Sequence, residues 1–345
     1  ANLSVIGYDP RKYYSGRSPL EALSIGADMT ATDVSFRCNL VTLSEEEEKY
    51  EDRKILDHSS GEISTAEAAE LIQAAEQSLA RDGYTFYVGT SYRHLLIQKE
   101  GAVQELTAPH DILTRRIGEY LPKDEVLRQM MEKSWDILKD HPVNVKRRAE
   151  GKNPANSLWF WGAGTRPMLT SFEEKNKVKG AMISAVDLLK GIAVGAGMDN
   201  IIVEGANGGL DTNYSGKGQA AVNALTRDGY DFVYVHIEAP DEMGHQGSAA
   251  LKIQAIESID SEVIGPVTEE LEKAGIDFRM LILPDHPTPV RVRTHTSDPV
   301  PYLLYDSTQK KEGKDFYCEQ TACQTGIFEE KGYHLIDRLL SGKDK

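Results

Sequence analysis

Cysteine is scarce in this chain: three in 345 residues, at Cys38, Cys318 and Cys323. Their spacing offers neither a disulfide framework nor a CxxC zinc pair, and so few thiols read as a protein of a reducing, cytoplasmic compartment. Long apolar runs are missing too, since none approaches the roughly 20 residues of a membrane span. Positive charge is in deficit, with 39 Lys and Arg against 54 Asp and Glu and a formal net charge of −15. That balance repels nucleic acid and anionic membrane, so an anionic ligand would need a local cluster of Arg, Lys or metal ions. Internal repeats and low-complexity segments are also absent. What is present, 40% hydrophobic and 27% charged residues, is the composition of a folded soluble protein. The length suits two ordinary domains or one large α/β domain with an insertion.

The chain has two textures. From about 156 onward short apolar runs alternate with helical patterns: "SLWFWG" (157–162), "GAMISAVDLLKGIAVGAG" (180–197), "NIIVEG" (200–205), "GKGQAAVNALTRDG" (216–229) and "YDFVYVHI" (230–237). A long helix over 248–274 follows, with Ile256, Ile259, Val263, Val267 and Leu271 on one stripe, and then "FRMLILP" (278–284). Strand and helix in repetition predict a doubly wound, mostly parallel α/β sheet. A continuous apolar strand such as "FVYV" predicts burial on both faces. The earlier part reads as α+β. "VSFRCNLVTL" (34–43) is a strand and "SEEEEKYED" a solvated loop. "ISTAEAAELIQAAEQSLARDG" (63–83) is a helix with Ser64 and Glu67 placed as a capping box, and "YTFYVGTSYRHLLIQ" (84–98) alternates like a hairpin. The stretch 139–156 connects back to the sheet. The domain reading is therefore a core over 1–30 and 151–345 with an inserted α+β domain over 31–150.

Three segments carry metal-type residues. "HIEAPDEMGHQG" (236–247) sets Asp241 and His245 at i and i+4, so one helical turn brings both to one face. "LPDHPTP" (283–289) sets Asp285 and His286 side by side after a strand, with prolines that keep the backbone from turning helical. Neighbours in extended chain point in opposite directions, which suits two ions, or one ion and a substrate. "RTHTSDPVP" (293–301) adds His295 between threonines. The carboxyl ends of strands in an open parallel sheet are where ligands gather. Asp with neutral imidazole favours Mn²⁺ or Zn²⁺ over Mg²⁺. Taken singly, each segment could equally be a polar loop with a satisfied histidine.

With "HIEAPDEMGH", "LPDHPTP" and "RTHTSDPVP" the chain resembles the cofactor-independent phosphoglycerate mutases of the archaeal-type branch, which are alkaline-phosphatase-like metalloenzymes. "NLSVIGYDPRKYYSGRSPLEA", "DHSSGEISTAEA", "SYRHLL", "ISAVDLLKGI" and "LDTNYSGKG" extend the resemblance along the whole chain. It implies two divalent ions (Mn²⁺ first, with Zn²⁺, Mg²⁺ or Co²⁺ as alternatives) and no bisphosphoglycerate. One ion would be held by Asp241, His245 and His295, the other by Asp285 and His286. It implies a small phosphorylated carboxylate as substrate and a double phosphoryl transfer through a phosphoserine. In the family a Gly-Ser-Asp-Val stretch with the nucleophile precedes the "ANLS" seen here, so the nucleophile is expected upstream of Ala1 and Ser4 does not replace it. About sixty further residues are expected there, the size of one strand–helix–strand unit with its loop. The chain starting at Ala1 is expected to be poorly soluble.

The resemblance also gives the insert carboxylate-binding arginines and a proton relay, for which Arg93, His94, His110 and Asp111 stand as candidates. "PHDILTRR" (109–116) would otherwise be a helix start with Asp111 as cap. Ser59 and Ser60, in the place of a substrate-facing loop, would contact substrate or cap the next helix. Arg166, after the glycine turn of "WFWGAGTRP" (159–167), suits a phosphate. Lys190 takes the place of a lysine facing the phosphoserine, or is a solvent-facing charge. "GANGGLDTNYSGKG" (205–218) lacks P-loop spacing. Two other functions stay open at this stage: phosphoryl transfer to another small alcohol, homoserine by name, and a catalytically inactive homologue.

Overall fold

One strand organises the sheet of the earlier half. β1 (Val34–Leu43) is buried at all ten positions, as its run of β-branched and large apolar residues favours. In the computed structural model, which describes residues 1–309 and 313–341, the chain falls into two compact units. One is Ser15–Met168; the other joins Ala1–Tyr14 to Leu169–Lys345.

In the Ser15–Met168 unit, β1 pairs antiparallel with β2 (Ile55–Asp57) at one end. The hairpin of β3 (Tyr84–Thr90) and β4 (Arg93–Gln98) lies along one side of β1. β5 (Ser157–Thr165) lies along the other, with Cys38 opposite Phe160. The unit extends beyond the 31–150 expected from sequence because β5, which reads as a strand of the parallel core, completes this antiparallel sheet instead. The helix Thr65–Leu79 starts at Ser64, whose hydroxyl accepts the Glu67 N–H and donates to its carboxylate. It buries Ala68, Leu71, Ile72, Ala75 and Leu79 in one core with Phe36, Trp159 and Phe160. The segment 139–156 is no simple connection, because Pro142–Ala149 forms a helix capped by His141.

The other unit has a parallel sheet of three strands in the order β7 (Asp199–Asn200), β6 (Gly180–Ile183), β8 (Phe232–Val235). Strand–helix alternation holds here: Asp187–Gly195 follows β6, and Tyr214–Thr226 precedes β8. "NIIVEG" yields only a two-residue strand. The long helix is three consecutive pieces, Ala249–Ile259, a π turn Asp260–Ile264, and Gly265–Lys273. Its stripe buries Val263, Val267 and Leu271, whereas Ile256 points outward. Among the described residues, β9 (Arg279–Ile282) pairs antiparallel with β10 (Leu303–Asp306) and with no other strand, and β8 likewise pairs only with β6. A cavity of about 660 Å³ separates β8 from β9, walled by both strands and by apolar helix residues such as Leu225, Val263, Val267 and Leu271. "FVYV" is therefore only half-buried past Phe232, not sealed on both faces. The fold is α/β. No helix among the described residues is long and apolar enough to cross a membrane.

Candidate metal centre

Pro240, in the first turn of the helix Ala239–Gln246, sets Asp241 and His245 on one face, because proline there loses no helical N–H bond. Their nearest side-chain atoms are 3.3 Å apart. The helix lies close against the "DHPTP" segment: a Cβ on Gly244 would come within 2.5 Å of the Thr288 carbonyl oxygen. Glycine at that position lets Asp241 reach the buried Thr288 hydroxyl, which donates to its carboxylate. Lys252 donates to the Thr288 carbonyl at 2.7 Å.

Against this carboxylate the other segments converge. His295 Nε2 lies 3.3 Å from Asp241 Oδ1 and 3.2 Å from His245 Nε2. His286 Nδ1 is 3.9 Å from Asp241, and its ring stacks on His295 with centroids 3.8 Å apart. His286 Nε2 is 3.5 Å from Asp285 Oδ2. Asp241, His286 and His295 each offer an atom within 4.8 Å of the others. The adjacent pair Asp285 and His286 does not diverge as in a strand, because 285–286 is a bend and both side chains turn toward the same cluster.

The donor set suits a cation. His245 Nδ1 is 3.0 Å from the Arg293 carbonyl, which can only accept, so Nδ1 carries a proton and Nε2 is the ring nitrogen that faces Asp241 and His295. That backbone hydrogen bond behind the ring is how metal-ligating histidines are held. Burial, with His286 beside it, lowers the His295 pKa. Imidazole nitrogens and carboxylate oxygens so close together, with lone pairs converging, are stable around a positive charge and poor without one.

Two further residues border the cluster that sequence reasoning passed over. Lys217 is fully buried and its Nζ donates to the His236 carbonyl at 3.3 Å. Burial lowers its pKa, against the pull of Glu238. Burial also pushes His236 down to about 4, with Asp285, Lys217, Asp241 and His286 all acting on it. The signal for Lys217 was a charge on a helix stripe with Tyr214, Gly218 and Ala221.

The remaining residues singled out from sequence fare differently. Lys190 is ion-paired with Asp187 at 3.2 Å on its own helix. Arg166 belongs to the other unit, where its guanidinium donates to the Met29 carbonyl at 2.9 Å. His94 is a core residue, 2% exposed, because β4 is an inner strand beside β1. Its Nδ1 accepts the Gly89 N–H at 3.1 Å, and burial pushes its pKa down to about 4, which does not suit a relay near neutral pH. Ser59 and Ser60 are buried and spend their hydroxyls on Asp57 and the Leu40 carbonyl. Neither caps the next helix; Ser64 does. Beside them His58, not singled out from sequence, meets His110 edge to face at 5.9 Å, and His110 in turn meets Trp161 at 5.3 Å. His110 and Asp111 lie in a short 3-10 turn, Pro109–Ile112, with His110 Nε2 3.8 Å from Asp111 Oδ1, and Arg93 is exposed at the start of β4.

An α/β fold whose strand-following loops gather carboxylates and imidazoles this closely carries a group of side chains able to hold a metal ion. The family model for 2,3-bisphosphoglycerate-independent phosphoglycerate mutase matches residues 1–144. The mutase of that name from Methanosarcina barkeri is 47% identical, over 99% of this chain and 85% of its own length. The one from Methanosarcina mazei is 50% identical, over 90% and 77%. Among solved structures, a cofactor-independent phosphoglycerate mutase from Thermoplasma acidophilum superposes with a TM-score of 0.64 at 29% identity, covering 99% of this chain and 85% of its own. A Pyrococcus horikoshii protein superposes with a TM-score of 0.78 at 27% identity, covering 99% and 83%. The chain belongs to the 2,3-bisphosphoglycerate-independent phosphoglycerate mutase family of the archaeal type.

Proposed function

We propose that this protein interconverts 3- and 2-phosphoglycerate without bisphosphoglycerate, through a phosphoserine and with two divalent ions, Mn²⁺ first among them. The observation that carries the reading is the convergence of Asp241, His245, Asp285, His286 and His295, with neighbouring contacts of 3.2–3.9 Å. Asp241, His245 and His295 would hold one ion, and Asp285 with His286 the other. When bound, the ions supply Lewis-acid stabilisation of the phosphoryl oxygens and of the attacking and leaving oxygens.

The chain's own residues do the rest. The Thr288 hydroxyl and the Arg293 carbonyl fix Asp241 and His245 in orientation. Lys217 places a buried positive charge beside His236 at the edge of the cluster, which favours a phosphoryl dianion. Arg93 stands for binding the glycerate carboxylate, and the exposed pair His110 and Asp111, with His58 beside it, stands for moving a proton between the two hydroxyls. Arg166 stands for a phosphate contact.

The test is a coupled assay on the protein together with any segment that precedes Ala1 in its gene. It receives 3-phosphoglycerate without bisphosphoglycerate and, in parallel, homoserine with ATP. Turnover of phosphoglycerate that EDTA abolishes and Mn²⁺ restores is the expected result. Phosphorylation of homoserine alone, or no turnover of either, overturns the reading.

A further inference from the structure

Asp285 is held from behind by a residue far away in sequence. Asn2 Nδ2 donates to Asp285 Oδ2 at 2.9 Å, and the Tyr234 hydroxyl donates to Asn2 Oδ1 at 2.7 Å. We propose that Asn2 is a positioning residue for this centre, an amide that passes a hydrogen bond from the Tyr234 phenol to Asp285 and so aims the carboxylate at the second ion. The inference rests on the reading of Asp285 as a ligand.

The direction of the relay follows from the groups themselves. An ionised carboxylate only accepts, so the amide nitrogen must face Asp285. The amide oxygen then needs a donor on its far side, and the phenol of β8 supplies one. Were the amide reversed, its oxygen would oppose the carboxylate and the bond to Asp285 would be lost. With one lone pair of Oδ2 taken by Asn2, rotation of the carboxylate is restricted, and the same oxygen stays 3.5 Å from His286 Nε2. Outer hydrogen bonds of this kind set ligand orientation and affinity in metal sites.

The helix that carries Asn2 is built to hold position. Asn2–Val5 is a single turn with Leu3 buried, followed by buried Ile6 and Tyr8. Gly7 reverses the chain at φ +85°, and a Cβ there would come within 2.6 Å of Ile336. The Tyr8 N–H closes the turn on the Leu3 carbonyl at 2.8 Å. One turn of helix anchored on three buried side chains delivers one amide to one carboxylate.

The experiment is a Mn²⁺ titration followed by electron paramagnetic resonance on the full-length protein. Asp285→Asn serves as reference for losing the second ion. Asn2→Ala should weaken the second ion about 10- to 100-fold and leave the first unchanged. Tyr234→Phe should weaken the second ion by a smaller factor, and should add nothing when combined with Asn2→Ala. If Asn2→Ala does not fold, the Tyr234→Phe titration decides alone. Unchanged second-ion affinity in these variants, or equal weakening at both ions, overturns the relay. Retention of both ions by Asp285→Asn would instead overturn the ligand reading beneath it.

Discussion

The two sheets solve opposite problems. In the Ser15–Met168 unit β1 is buried throughout and paired along both sides. In the other unit β8 is half-buried, paired on one side only among the described residues, and runs toward residues that carry chemistry. A sealed strand in a filled core holds a shape. A strand with one side open, followed by loops, leaves backbone and side chains free to meet a ligand, and the cluster of Asp241, His286 and His295 is gathered there. The candidate metal ligands thus belong to the unit with the open strand and not to the one with the sealed strand.

The contrast is sharpest where packing is densest. Trp159→Ala removes a side chain that is 1% exposed beside β1, and should destabilise its unit by about 3–5 kcal/mol. Urea unfolding followed by tryptophan fluorescence and circular dichroism would read this, and a loss under about 1 kcal/mol would break the division. Asp241→Ala should do the reverse, with near-wild-type unfolding but loss of the first ion and a fall in turnover of more than about 100-fold. Metal analysis of the purified variant decides it; wild-type metal content would dismantle the centre.

Acid separates the sheets by a different route. His94 is held neutral in the core with its pKa down at about 4, against an ordinary value of 6.5. Below pH 6.5 the unfolded chain takes a proton that the folded imidazole refuses until about pH 4. Stability of that unit therefore falls as pH drops across this window, by roughly 3 kcal/mol at most, and is level above it. Unfolding midpoints at about pH 7 and about pH 4.5 should show the loss, and His94→Asn should flatten it. The smallest effect is expected at Lys190. Its surface pair with Asp187 contributes at most about 0.5 kcal/mol, and Lys190→Ala should leave kcat and KM within about twofold.

Much of this was legible in the residues because it is local. β1 begins and ends where its apolar run does, Ser64 caps its helix, and the i, i+4 spacing of Asp241 and His245 needs only one turn. The convergence of 241–245, 285–286 and 295 was legible as chemistry, since carboxylates and imidazoles set just after apolar strands are costly to hold together unless they bind something. What escaped notice depends on distant partners. Nothing near "SLWFWG" says that it pairs with β1 more than a hundred residues earlier. His94 and His110 look alike as letters, but one enters the core on an inner strand and the other sits on an exposed turn. Lys217 was hidden by the habit of reading lysine as solvent-facing; only its place on the buried stripe tells otherwise.

The cavity between β8 and β9 has a thermal consequence. Its walls are apolar side chains of strands and helices that already line open space of about 660 Å³ in the folded protein. Unfolding exposes less new apolar surface there than in a filled core of the same length, and the heat-capacity increment follows the surface newly wetted. The unit with the cavity should therefore sit slightly lower within the usual ~12–15 cal/mol/K per residue than the unit built on β1, by less than ~1 cal/mol/K per residue. A smaller increment flattens the stability curve, so the two halves of one chain would respond to cooling and warming with different curvature.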